Sequence, residues 1–214
     1  MTRYPAILNL GFRLFFFSAA AFAVLTMLAW LVIYQGHQPV VGGLVAQWWH
    51  GHEMIYGYAA AVVTGFLFTA VQNWTGVPMP HGWPLFFYWL PWFAARLLFA
   101  FAPSLHLIAA GFDLVFALGG LYAVAKRVVA VKQWRQMGLV SKMGLLAIGQ
   151  TLFISGLLGF ASGILWSLYL GVFTILAIVL TIGRRVTPFF TERGVGYPFT
   201  AKNSALLDRA CLIT

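Results

Sequence analysis

The chain has 214 residues, of which 62% are hydrophobic and only 8% are charged. A soluble domain has about 45–50% apolar and about 25% charged residues, so this composition excludes a water-soluble globular protein and predicts one embedded in a lipid bilayer. The net charge of +9 would suggest a nucleic-acid partner in a soluble protein. Here it arises because acidic residues are scarce, and no nucleic-acid partner is expected.

Six apolar runs are each long enough to cross the hydrocarbon core, which takes about 20 helical residues. They cover residues 14–34, 54–71, 85–101, 105–125, 143–160 and 165–182. The connections at 102–104 and 161–163 are short, which predicts two tight hairpins, one of spans three and four and one of spans five and six. The predicted fold class is therefore all-α: a polytopic transmembrane helix bundle of about six spans, forming a single domain over residues 1–214.

The basic residues indicate the orientation of this bundle. Twelve of the thirteen Lys and Arg residues precede span one, lie between spans four and five, or follow span six. The thirteenth, Arg96, lies inside span three. Because positively charged segments stay on the cytoplasmic side, both termini are predicted to be cytoplasmic.

The most informative segment is residues 48–54 (WWHGHEM), at the predicted outer mouth of span two. It contains His50, His52 and Glu53, and ionisable groups at membrane depth usually face the bundle interior or a cavity. Histidine is also a common ligand of haem iron and copper. At 100° per residue, His50 and His52 point in different directions along a straight helix. Three interpretations stay open: a break at Gly51 lets both rings act together, the two rings serve different sites, or both are interfacial side chains beside an aromatic belt.

Three arginines are further candidates. Arg96 either pairs with Asp113 of span four and fixes the register of the hairpin, or meets an anionic ligand group such as a haem propionate. Arg184 and Arg185 follow the last span, where they either anchor the helix end at the membrane surface or bind a propionate or phosphate.

Several motifs together resemble the NnrS family, in the family's order and over nearly the whole chain. They are residues 10–16 (LGFRLFF), 49–54 (WHGHEM), 65–67 (GFL), 69–76 (TAVQNWTG), Arg96 and 183–191 (GRRVTPFFT). The resemblance implies a multi-pass protein of the bacterial inner membrane that contains haem and copper, and that binds nitric oxide or protects against nitrosative stress. It also implies a cofactor site in which His50 and His52 are metal ligands, Glu53 orients one ring, and Arg96, Arg184 and Arg185 contact the cofactor.

The length departs from the family's pattern, because its members are usually about twice as long. The chain ends at residues 206–214, where a seventh span is expected to begin, so it resembles an N-terminal half that needs a second half or another chain as partner. The alternative function is a non-catalytic membrane protein, or a half-transporter that needs a partner chain. The sequence assigns no catalytic residue.

Overall fold

Among the residues that the computed structural model describes, six helices are long and apolar enough to cross a membrane, which confirms the all-α fold class and the six spans. The structure describes residues 4–37, 40–41, 44–160, 162–197 and 204. The helices are α1 Gly11–Gln35, α2 Ala46–His52, α3 Ala60–Thr75, α4 Trp83–Phe101, α5 His106–Ala130, α6 Met137–Leu157 and α7 Gly163–Gly194. A two-residue hairpin pairs β1 (Val40–Val41) with β2 (Leu44–Val45) in antiparallel fashion.

A π-helical segment, Glu53–Ala59, joins α2 to α3, so Ala46–Thr75 is one continuous span. The predicted start at 54 was therefore wrong. The polar residues before it interrupt the apolar run, but they remain helical because the bundle buries them.

Other helix ends also differ from the predicted spans: α5 continues to Ala130 rather than 125, and α6 begins at Met137 rather than 143. Span five ends at Leu157 rather than at 160, because Gly159 takes a positive φ of 105° that helical residues do not adopt. The last helix continues past 182 to Gly194 and includes Pro188. Hydropathy marks where a chain leaves the hydrocarbon core, and a helix can continue beyond that point.

The chain divides into two compact units, Met1–Ile175 and Leu176–Thr214. In the first unit, α4 packs against α5, α5 against α6, and α1 against α3. The second unit contains the C-terminal part of α7, including Arg184 and Arg185. The predicted start of a seventh span, at 206–214, lies outside the described residues.

Helices α1 and α3 approach closely because each carries a glycine at the contact. A Cβ atom on Gly65 would lie 2.5 Å from Cβ of Phe15, and one on Gly11 would lie 2.5 Å from Cβ of Phe68. The Thr69 hydroxyl also accepts a hydrogen bond from the backbone N–H at the start of α1, at 3.1 Å. Small residues at such contacts are how helices associate in lipid, where no hydrophobic effect drives them together. This contact fixes the span that carries the candidate site.

Candidate functional site

Four ionisable side chains from three spans meet inside the first unit, and we call them the buried charge cluster: His52, Glu53, Arg96 and Asp113. They are between 1% and 5% exposed. His52 and Glu53 lie where α2 passes into the π-helical segment, Arg96 is on α4 and Asp113 is on α5. Charged groups in a membrane-spanning bundle need partners at this depth, and here they supply one another.

Arg96 is the centre of this cluster. Its Nη1 donates to Oε2 of Glu53 at 2.6 Å, and its Nη2 donates to Oδ2 of Asp113. Nδ1 of His52 donates to the other oxygen of Glu53, Oε1, at 3.0 Å. Nε2 of His52 lies 3.7 Å from Oδ2 of Asp113, so the four groups form a closed ring of contacts. Two carboxylates, one guanidinium and one imidazole thus balance most of their charge within the cluster.

Gln150 of α6 completes the surroundings of His52. The two amide atoms of Gln150, Oε1 and Nε2, lie 3.3 Å and 3.2 Å from Nε2 of His52. Because an amide both donates and accepts, it can satisfy this nitrogen in either protonation state of the imidazole. The faces of the ring pack against Phe153 at 4.1 Å and Phe99 at 4.8 Å between ring centroids. His52 is therefore held on all sides.

The π-helical segment gives the cluster its geometry. The Ala60 N–H bonds the carbonyl of Ile55, five residues back, rather than the carbonyl four residues back as in an α-helix. Within this segment, the carbonyl of Gly57 accepts a hydrogen bond from Nε1 of Trp92 on α4, at 2.7 Å. π-helical turns are rare and occur often at functional sites.

Gly57 also makes room for the cluster. A Cβ atom there would lie 2.8 Å from a ring carbon of Phe22 and would collide with the guanidinium of Arg96. Phe22 and Phe99 place their rings 5.5 Å and 5.4 Å from the Arg96 guanidinium carbon, and cation–π attraction stabilises the cation there. The sequence therefore needs a glycine at the point where Arg96 approaches span two.

His50 lies outside the charge cluster. Its ring stacks on Trp30 of α1, with centroids 4.3 Å apart and planes 16° apart. Its Nδ1 is buried and has no hydrogen-bond partner among the described residues, and the same holds for Nε2 of His106 at the start of α5. Buried polar atoms are normally hydrogen-bonded, so these two imidazole nitrogens are available to a ligand.

One protein family, described as NnrS protein, matches residues 6–214. The chain belongs to the NnrS family. The predicted resemblance is therefore confirmed, and the chain is an NnrS-type multi-pass membrane protein linked to the nitric oxide response. No curated protein and no solved structure matches the chain.

The structure places in different surroundings the two histidines of this NnrS chain that the resemblance implied as metal ligands. The helix continues through Gly51, so His50 contacts α1 whereas His52 faces α4 and α6. Glu53 does orient one ring, and that ring belongs to His52. The predicted pairing of Arg96 with Asp113 is present, together with a second bond to Glu53 that the sequence did not indicate. A haem propionate would have to compete with both carboxylates for Arg96.

The donor atoms fit a haem better than a copper ion. Among the described residues, no group of three or more His, Cys, Asp or Glu side chains is arranged to hold a metal ion. Copper sites draw several ligands from the protein, so these residues do not fit copper by themselves. Haem iron brings four nitrogens of its own and needs only axial side chains. His50, with its unpartnered Nδ1, fits that requirement, whereas both nitrogens of His52 are engaged.

Two residues near His52 were not predicted from the sequence. Gln150 is an amide within the apolar run of span five, and this isolated polar residue was a usable signal. Tyr56, one turn beyond His52, donates from its hydroxyl to the Ser167 carbonyl of α7 at 2.8 Å. An apolar run offers no comparable sign for Tyr56, because tyrosine is common in such runs.

Proposed function

We propose that this chain acts in the bacterial inner membrane as an NnrS-type haem protein of the nitric oxide response, in which His50 would hold the haem iron. Haem iron supplies a metal to which nitric oxide can bind, which is how the protein would bind nitric oxide or protect against nitrosative stress. The observation that carries the proposal is the buried, unpartnered Nδ1 of His50. An unsatisfied polar nitrogen away from water costs about 1–3 kcal/mol, so a ligand that occupies it is favoured.

The charge cluster supports this ligand by fixing the helix on which it lies. Glu53 is three residues after His50 and is bonded to both His52 and Arg96. Trp30 packs on one face of the His50 ring and limits its rotation. Groups that orient a ligating histidine in this way commonly tune its metal affinity. In this proposal His52 is a positioning residue and not a ligand.

Optical spectroscopy on the purified protein tests the ligand assignment. We expect the wild-type protein, after reconstitution with haem in detergent, to show a Soret band that shifts when nitric oxide is added. His50→Ala should lose most of this band. His81→Ala is the matched control, because its ring bonds the Met79 carbonyl in a loop and belongs to neither histidine site. His106→Ala shows whether the second unpartnered imidazole contributes an axial bond.

Two results would overturn the proposal: a wild-type protein without a Soret band, or a band that His50→Ala leaves unchanged. Metal analysis and native mass should accompany the spectra. A metal-free homodimer would favour the alternative, a non-catalytic membrane protein or half-transporter that works with a partner chain.

A further inference from the structure

A cavity of about 660 Å³ lies at the opposite end of the first unit from His50, near the ends of α4 and α5. Its walls come from the N-terminal segment, the loop between α3 and α4, the first turns of α4 and the last turn of α5. The lining includes Tyr4, His81, Trp83, Tyr88 and Arg127. Ligand cavities commonly have volumes of about 300–1,000 Å³, so this one is large enough for a small molecule or a lipid headgroup.

Arg127 places a positive charge in this wall and is held there by backbone atoms. Its Nε donates to the Pro78 carbonyl at 3.3 Å, and its Nη1 donates to the Ala123 carbonyl at 3.1 Å. Neither carbonyl neutralises the guanidinium charge. The chain has only four acidic residues, and two of them, Glu53 and Asp113, are bonded to Arg96. Arg127 forms no ion pair with the residues that the structure describes, so its charge is available to an anion.

The loop that forms the cavity floor is fixed in shape. The Gly82 N–H donates to the Leu8 carbonyl at 2.7 Å, and its φ of 64° is one that glycine adopts without strain. A Cβ atom on Gly82 would lie 2.9 Å from the ring of Tyr4. The turn therefore brings Tyr4 against the loop, on the same side as Arg127. The cavity is thus built by defined contacts between three parts of the chain.

The position of the cavity favours a lipid as its occupant. Trp83 is the first residue of α4 and is 53% exposed, and tryptophans at span ends lie at the depth of lipid headgroups. Arg127 makes the cavity basic, and basic cavities between spanning helices bind anionic headgroups. Tyrosine hydroxyls beside an arginine can donate to phosphate oxygens.

We propose that this cavity binds a phosphate-bearing anion, and that its occupant is the headgroup of an anionic phospholipid. The guanidinium of Arg127 pairs with the phosphate, the hydroxyls of Tyr4 and Tyr88 lie beside it, and Trp83 borders the acyl chains. The site is independent of the haem ligand proposed above.

Native mass spectrometry of the detergent-purified protein tests this binding. The probe is phosphatidylglycerol, with zwitterionic phosphatidylcholine as the neutral comparison. Arg127→Gln should weaken phosphatidylglycerol binding about tenfold, because a bond to a charged group is lost. Lys126→Gln is the matched control, since it removes the same charge from the adjacent residue, whose ammonium lies over the Tyr122 ring instead. Its effect should stay below about twofold.

Arg127→Lys keeps the charge and should retain most of the affinity, which separates lost binding from lost folding. Competition with inorganic phosphate identifies the source of the anion. Phosphate that binds while phosphatidylglycerol does not would overturn the lipid assignment. Equal losses of phosphatidylglycerol affinity in Arg127→Gln and Lys126→Gln would overturn the proposed site. Equal binding of the two lipids by the wild-type protein would overturn it as well.

Discussion

Removing Arg96 should destabilise this protein more than removing any exposed basic residue. Arg96 is 5% exposed and bonds two carboxylates that are 1% and 2% exposed, Glu53 and Asp113. An ion pair at about 4 Å has a Coulomb energy of about 4 kcal/mol at an effective dielectric constant of 20. Breaking a buried pair by removing one partner typically costs about 3–5 kcal/mol, because the other charge stays buried and unpaired. We therefore expect Arg96→Met to lower the free energy of unfolding by about 3–5 kcal/mol.

The triple variant Arg96→Met with Glu53→Gln and Asp113→Asn tests whether charge is the cause. It removes all three charges while keeping similar side-chain volumes, and neutral replacements of buried ion pairs are often tolerated. We expect it to recover most of the lost stability. The assay is reversible unfolding in mixed micelles of dodecyl sulfate and a nonionic detergent, followed by tryptophan fluorescence.

Arg13→Met is the control for this experiment, because Arg13 is exposed and donates to the Ala6 carbonyl, at 3.1 Å, rather than to a carboxylate of the described residues. It should cost less than about 1 kcal/mol. Two results would contradict a role for buried charge. In one, the free energy of unfolding of Arg96→Met is within about 1 kcal/mol of the wild-type value; in the other, the triple variant is no more stable than the single one.

The same unfolding assay checks two packing predictions. Gly57→Ala should cost about 1–3 kcal/mol through overpacking, because its Cβ would lie 2.8 Å from the ring of Phe22. A Cβ atom on Gly111 would have no atom within 4 Å, so Gly111→Ala should be neutral or slightly stabilising. Equal effects of the two substitutions on the free energy of unfolding would contradict the close approach at Gly57. Gln150→Leu should cost about 1–3 kcal/mol because Nε2 of His52 loses its amide neighbour. A change below about 0.5 kcal/mol would show that this amide does not stabilise the ring.

Part of the buried charge cluster could be predicted from the sequence because charged residues are so scarce. With four acidic residues in the whole chain, Asp113 was the evident partner for an arginine inside span three. The orientation, with both termini cytoplasmic, remains a prediction from the basic residues. The second bond of Arg96, to Glu53, was not predictable, because it depends on which face of span two meets α4.

The π-helical segment was also not predictable from the sequence. A straight-helix projection assumes 100° per residue, and Glu53–Ala59 does not follow that repeat. The Gly57 carbonyl in this segment accepts a hydrogen bond from Trp92 of α4, which is a residue outside the span.

The sequence by itself determined that this protein lies in a membrane, that it has six spans, and which family it belongs to. Transfer of apolar residues into lipid is a local property of each run, so composition and length were sufficient to find the spans. Only the tertiary structure decided which imidazole is free. His50 and His52 are two residues apart and chemically identical, yet packing gives both nitrogens of His52 to Glu53 and Gln150, whereas Nδ1 of His50 has no partner in the part of the chain that the structure describes. The difference arises from contacts with α1, α4 and α6, which are distant in the chain.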